Sequence, residues 1–194
     1  MDERDDGPAG TIRAFAAVTI RTTPPLLTLL SKLGGMGKAV RAVRADQLHV
    51  TLKFFGDVDE SLIPSMTAGL DRVAADGEPF GWSLRGTGAF PSPARPSVVW
   101  AGVEDAGRFA ALAEGVERFS EALGFAREPK AFHPHVTLAR VKFRPPPSLG
   151  DLLRETAGEE FGPQRAEGIV LYRSDLGPGG SAYTVLHVAR LGGT

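Results

Sequence analysis

The tetrapeptide His-Val-Thr-Leu occurs at residues 49–52 and again at 135–138, although the whole sequence contains only four histidines. An imidazole with a pKa of about 6.5 takes up or releases a proton near neutral pH, so two of them can serve as base and acid in one reaction. A threonine hydroxyl donates a hydrogen bond to an anionic oxygen and brings no competing charge. Two imidazoles on opposite sides of a phosphorus centre, with two hydroxyls on its non-bridging oxygens, suit in-line displacement at a phosphodiester. Such a set calls for neither a metal ion nor a nucleotide cofactor.

On a strand, successive side chains point to opposite faces. Unbroken alternation puts His49 and Thr51 on one face and Val50, Leu52 and Phe54 on the other. It likewise sets His135 and Thr137 apart from Val136 and Leu138, and turns Arg140 away from His135. A single His-x-Thr is ordinarily a strand histidine beside a β-branched strand former. The balance moves toward chemistry because the motif is duplicated and each copy has basic company. Residues 32–53 hold Lys32, Lys38, Arg41, Arg44 and Lys53 against Asp46 alone, and residues 127–144 hold Arg127, Lys130, Arg140, Lys142 and Arg144 against Glu128 alone. Such surrounds draw anionic ligands, although lysines and arginines are also the ordinary furniture of a solvated surface.

The elements that must position these motifs recur in the same order. The first half reads as a strand (12–20), a helix in TPPLLTLLSKLGG with a threonine cap and a Gly-Gly stop, the first motif strand (47–58), a helix (59–77) and a strand (80–90) ending in the turn PSPARP. The second half reads as a strand (97–103), a long helix (106–124), the second motif strand, a short helix (148–158) and two strands (166–174 and 182–191) joined by DLGPGG. Each HVTL falls on the strand after the first helix of its half. The simplest architecture is α+β: two pseudo-two-fold-related lobes, each an antiparallel β-sheet with helices on its outer side, and a catalytic cleft between them. The predicted unit is a single bilobal domain over 11–194, its lobes interdigitated about a repeat near 11–96 and 97–194, after a mobile segment 1–10.

Composition narrows the function. With no cysteine, thiolate nucleophiles, disulfides and cysteine-type zinc sites are excluded. A net charge of -1 argues against coating nucleic acid by bulk electrostatics. No apolar run reaches the roughly 20 residues of a membrane span, and MDERDDGPAG is acidic where a signal peptide would be basic. A soluble, cytoplasmic monomer is expected.

The motifs in their context, LHVTLKFFGDV, FPSPARPSVVWAGV, FHPHVTLARV and LYRSDLGPGGSAYTVL, resemble the 2H phosphoesterases. Within these they resemble the bacterial and archaeal RNA 2',3'-cyclic phosphodiesterases, also called 2'-5' RNA ligases, over nearly the whole chain. The resemblance implies hydrolysis of an RNA 2',3'-cyclic phosphate end to a 2'-phosphomonoester, with weak reversible 2'-5' joining of tRNA halves, and no cofactor. By motif position His49 resembles the proton donor to the leaving 3' oxygen and His135 the proton acceptor that activates water. Thr51 and Thr137 resemble the phosphate-holding hydroxyls. His133 stands where such proteins often carry arginine, and Arg140 matches their TLAR; both are candidate substrate contacts. Symmetry alone does not say which imidazole is the acid.

Three other readings stay open. Another small cyclic phosphate would serve the same site. A metal-dependent hydrolase would use His49, His133 and His135 as three imidazole ligands, at the cost of leaving Thr51 and Thr137 without a task. A non-catalytic module would only hold RNA ends. The aromatic residues Phe54, Phe55, Phe132 and Tyr183 are candidate base-stacking platforms, most of them expected in the core, and His187 reads as a plain strand histidine.

Overall fold

A computed structural model describes residues 10–177 and 180–193. The expected mobile segment 1–10 lies outside this range except for Gly10, and so do Pro178 and Gly179 of the DLGPGG turn. The elements in chain order are β1 (Thr11–Thr19), α1 (Pro24–Gly34), β2 (Val40–Ala42), β3 (His49–Asp59), α2 (Ile63–Ala75), β4 (Phe80–Ser92), β5 (Arg95–Val103), α3 (Ala106–Ala122), β6 (His135–Val141), α4 (Pro147–Glu155), β7 (Glu160–Ala166), β8 (Gly168–Gly177) and β9 (Gly180–Arg190). The strands run β7-β4-β5-β6-β3-β1-β8-β9, and β2 pairs with the end of β6. The fold is α+β.

At the centre of this order β3 and β6 meet at one antiparallel pairing, Val50 with Val136, both fully buried. Everything on one side of that seam is a four-stranded lobe, β3-β1-β8-β9; on the other side lies its counterpart, β6-β5-β4-β7. The repeat is exact in register. Thr19, Val18 and Ala17 pair with His49, Val50 and Thr51, while Gly102, Ala101 and Trp100 pair with His135, Val136 and Thr137. The halves of the chain are nevertheless interwoven. Strand β4, from the first half, lies in the second lobe, and β8 and β9 return to complete the first. Helix α1 packs on β2, β6 and β7, whereas α2 and α3 cover β3, β8 and β9.

The helices carry the expected apolar stripes. Leu26, Leu29, Leu30 and Leu33 of α1 recur at helical spacing and are buried. Thr23 occupies the N-cap position, but its side chain does not cap the helix. The hydroxyl donates to the carbonyl of Phe161, tying the start of α1 to β7. Strand β7 is absent from the sequence reading because Gly162, with φ +97°, and Pro163 interrupt any strand pattern. It is an edge strand, the place where a sheet tolerates proline.

Strict alternation fails just after the threonine of each motif strand. Ala17 pairs with Thr51 but Ala16 with Lys53, and Trp100 pairs with Thr137 but Val99 with Ala139. Each strand therefore carries an extra residue, Leu52 or Leu138, a β-bulge placed directly after the motif threonine. The bulge reverses the parity of the residues that follow, in β6 to the end of the strand and in β3 as far as a second extra residue, Phe55, between the Phe15–Phe54 and Ala14–Gly56 pairs. Phe54 and Arg140 consequently share the cleft face with the histidines, contrary to the alternation rule: Phe54 pairs with Phe15 and Arg140 with Val98, each two residues along from the threonine's partner.

The same reversal turns Lys53 toward the helices. Its ammonium is 2.7 Å from Oε2 of Glu117 on α3 and 2.8 Å from the carbonyl oxygen of Ala126, with side-chain exposures of 4% for Lys53 and 13% for Glu117. Lys53 is thus a structural cation and no part of a ligand-attracting surface. Lys53→Met leaves a carboxylate and a carbonyl in the interior without their partner, so unfolding by denaturant should show a loss of about 3 kcal/mol. Adding Glu117→Gln should recover a good part of it.

Candidate active site

The first lobe presents His49 and Thr51 above an aromatic base. Phe15, at 2% exposure, has its ring centroid 4.9 Å from that of His49 and 5.1 Å from Tyr172. Tyr183 closes the other side, edge-on to His49 at 5.5 Å. Phe54 leans on Phe15 at 5.7 Å and remains 67% exposed. In the second lobe the ring of Phe90 lies edge-on to His135 at 5.0 Å, and Trp100 lies 5.4 Å from Phe90. Trp100 covers Gly88, where any Cβ would collide with the indole.

The two imidazoles are held by the same device. Nδ1 of His49 is 2.7 Å from the carbonyl oxygen of Gln47, and Nδ1 of His135 is 2.7 Å from that of His133. A carbonyl accepts only, so Nδ1 carries the proton in each ring and Nε2 is the free nitrogen. Extending the antiparallel register by one residue either side of Val50 and Val136 sets His49 across from Thr137 and Thr51 across from His135. Each lobe's hydroxyl therefore stands beside the other lobe's imidazole.

Burial holds both imidazoles below the ordinary histidine range. The carbonyl at Nδ1 opposes the shift in each case, because it favours the charged ring. A further lowering of His49 comes from the charge of His135, and of His135 from that of His133. The shift favours the neutral form of both rings in the free protein.

His133 is exposed and lies in the same corner, its ring 5.5 Å from Trp100 and 6.3 Å from His135. Arg140 is exposed and pairs across the strands with Arg41. Like charges directly opposite each other cost stability unless an anion is to come. Neither guanidinium has an ion-pair partner among the described residues. Of the candidate platforms, Phe54 and Tyr183 face the cleft. Phe55 is buried against Phe125, and Phe132 packs on the core. His187 lies outside the cleft, its Nε2 2.7 Å from Oδ1 of Asp71 on α2.

Phe15, Tyr172, Phe90 and Trp100 were not singled out by the sequence reading, and Arg41 entered it only as one of the basic residues around the first motif. Phe15 had a signal: AFAAV is apolar at every position, as in a strand covered on both faces. The others depend on cross-strand register that no local pattern carries. Among the described residues no group of three or more His, Asp or Glu side chains is arranged to hold a metal ion.

Residues 30–177 match the family model of the 2'-5' RNA ligase superfamily. An RNA 2',3'-cyclic phosphodiesterase from Archaeoglobus fulgidus is 37% identical over 182 residues, which span 91% of this chain and 99% of that protein. One from Aeropyrum pernix is 38% identical over 164 residues, 84% of this chain and 92% of the relative. Among solved structures, a Thermus thermophilus protein superposes with a TM-score of 0.78 at 34% identity, covering 94% of this chain and 99% of its own. Escherichia coli LigT, solved with 3'-AMP, shares the fold at a TM-score of 0.70 and 24% identity, over 93% and 98% of the two chains.

The electrostatic coupling yields a direct measurement. In an NMR titration the midpoints of His49 and His135 should both fall below about 6.5. Replacing His135 by alanine removes a positive neighbour and should move the His49 midpoint upward; a downward move or none contradicts the shared cleft.

Proposed function

The chain belongs to the 2'-5' RNA ligase superfamily, and from that premise we propose that it is an RNA 2',3'-cyclic phosphodiesterase working by two-histidine acid-base catalysis. The observation that carries this reading is the paired clamp: two imidazoles at equivalent positions across the Val50 and Val136 seam, each with Nδ1 tied to a carbonyl and Nε2 free.

In the proposed reaction Nε2 of His135 takes a proton from water as its oxygen attacks phosphorus. The bond from phosphorus to O3' breaks, and His49, in its protonated form, gives its proton to the departing 3' oxygen. The product is a 2'-phosphomonoester, and the two imidazoles exchange protons with solvent to reset. Thr51 and Thr137 donate hydrogen bonds to the non-bridging oxygens. Arg140 adds positive charge at the second lobe's side of the phosphate, and His133 stands there as a further substrate contact. Burial favours neutral His49 in the free protein, but a phosphate anion beside it favours the charged ring and so supplies the acid.

The bulge supports this placement of Arg140, because it brings the guanidinium onto the histidine face. The bare Arg41 and Arg140 pair supports an anionic ligand over a neutral one. RNA with a cyclic phosphate end is the substrate class, with tRNA halves one such source; weak reversible 2'-5' joining is the same displacement with the 5'-hydroxyl of a second strand attacking phosphorus in place of water while the bond to O3' breaks. We place the enzyme in the cytoplasm as a monomer. No helix among the described residues is long and apolar enough to cross a membrane.

Replacing His49 or His135 by alanine should lower hydrolysis of a 2',3'-cyclic end by about a thousandfold with circular dichroism unchanged. Thr51→Val or Thr137→Val should cost about ten- to a hundredfold. Turnover should persist in excess EDTA, and a 3'-phosphate product would overturn the assignment of His49 and His135. The profile of kcat/KM against pH should be a bell with its maximum below pH 7. The acid form of His49 is present only below its lowered pKa, and the base form of His135 only above its own.

A further inference from the structure

A cavity of about 560 Å3 opens beside His49, which is part of its lining. Tyr172, Tyr183, Arg21, Arg44 and Gln47 line it with His49, and no residue of β6 takes part. Its size suits a small organic ligand. Aromatic faces beside cationic groups are the means by which proteins hold single-stranded nucleic acid, the ring stacking a base and the cation meeting a phosphate.

The two arginines are not equivalent. Arg44 forks onto Asp46, with Nε 3.0 Å from Oδ1 and Nη2 2.6 Å from Oδ2, so these two charges are spent on each other. Arg21 has no ion-pair partner among the described residues, yet its backbone is fixed at two points. Its N–H donates to Oε1 of Gln164 at 2.8 Å, and its carbonyl accepts from Nε2 of the same amide at 2.9 Å. Gln164 sits on β7, 6% exposed. A buried amide must be hydrogen-bonded to be tolerated, and this one directs both ends at a single residue of the segment that crosses from β1 to α1. Thr23, two residues further on, is tied to Phe161 of the same strand. The crossing is thereby anchored from the opposite lobe, with Arg21 held in the lining of the cavity.

We propose that this cavity is a subsite for the nucleotide that precedes the cyclic end, with Arg21 binding the phosphate that joins the two nucleotides. The inference rests on the RNA-end reading above. His49 is a wall of both spaces, so a strand whose last ribose lies in the cleft passes His49 to enter the cavity. Gln47, whose amide donates to the carbonyl of Ser181 at 2.8 Å, holds the β9 end that carries Tyr183 against this space. The site then distinguishes an RNA end from a free cyclic mononucleotide.

The test compares a 2',3'-cyclic mononucleotide with a trinucleotide bearing the same end, on wild type and Arg21→Gln. Wild type should show the lower KM for the trinucleotide. In Arg21→Gln that advantage should shrink by about tenfold, the slope of log KM against log salt should lessen by about 0.7 for the trinucleotide, and Arg21→Lys should restore part of both. An equal loss on the two substrates, or none, overturns the subsite. Calorimetric binding of a trinucleotide ending in a 2'-phosphate reads the same contact without turnover. If wild type hydrolyses neither substrate, the catalytic reading fails, and a tenfold weaker binding by Arg21→Gln still upholds the cavity's role while equal binding rejects it.

Discussion

One backbone pairing, Val50 with Val136, determines the site. Both valines are the second residue of a His-Val-Thr-Leu copy, both are fully buried, and their antiparallel bridge is where the two lobes join. A slip of one residue at this seam would turn one strand over against the other, sending one imidazole to the interior and its neighbouring valine into the cleft. The flanking strands reinforce the register on either side, so the seam itself needs little length. Specificity of pairing is supplied by two outer ladders and only concluded at the middle.

Around that seam the same environment acts in two directions. Aromatic rings pack the imidazoles into fixed poses, which spares the reaction the cost of orienting them. The packing also strips water from the rings and lowers their pKa, so protonated His49 is scarce until an anion arrives. The carbonyls of Gln47 and His133 partly offset the desolvation while choosing the tautomer. In the proposed mechanism such a site is poised by its ligand: the charge that the reaction must handle is also what raises the acid.

Much of this was legible in the residues. The duplicated tetrapeptide, the order of elements and the leucine stripe of α1 all follow from spacing and period, and the burial of Val50 and Val136 follows from parity near the motif. Parity then misled, because a bulge is one inserted residue with no sequence mark of its own. Phe54, Lys53 and Arg140 each changed face through it. Strand β7 hid behind Gly162 and Pro163, and the aromatic bed under His49 joins Phe15 of β1 to Tyr172 of β8, strands from opposite ends of the chain. Local pattern reports what a residue does on its own strand; these facts concern which strand lies alongside.

The exchange of strands between lobes bears on how the chain comes into being. Strand β1 has β8 as a neighbour, so Phe15 awaits Tyr172, and the first lobe is incomplete until residues beyond 168 have been made. Strand β4, already synthesised, has its partners β5 and β7 still to come. Neither half is therefore an independent folding unit on the ribosome. Loop closure over such separations is slow, and the unpaired edges of β1 and β4 stay open to wrong partners while the rest emerges. The interweaving that brings two copies of one motif face to face thus makes catalysis conditional on a finished chain, and leaves no active half to be released by early termination.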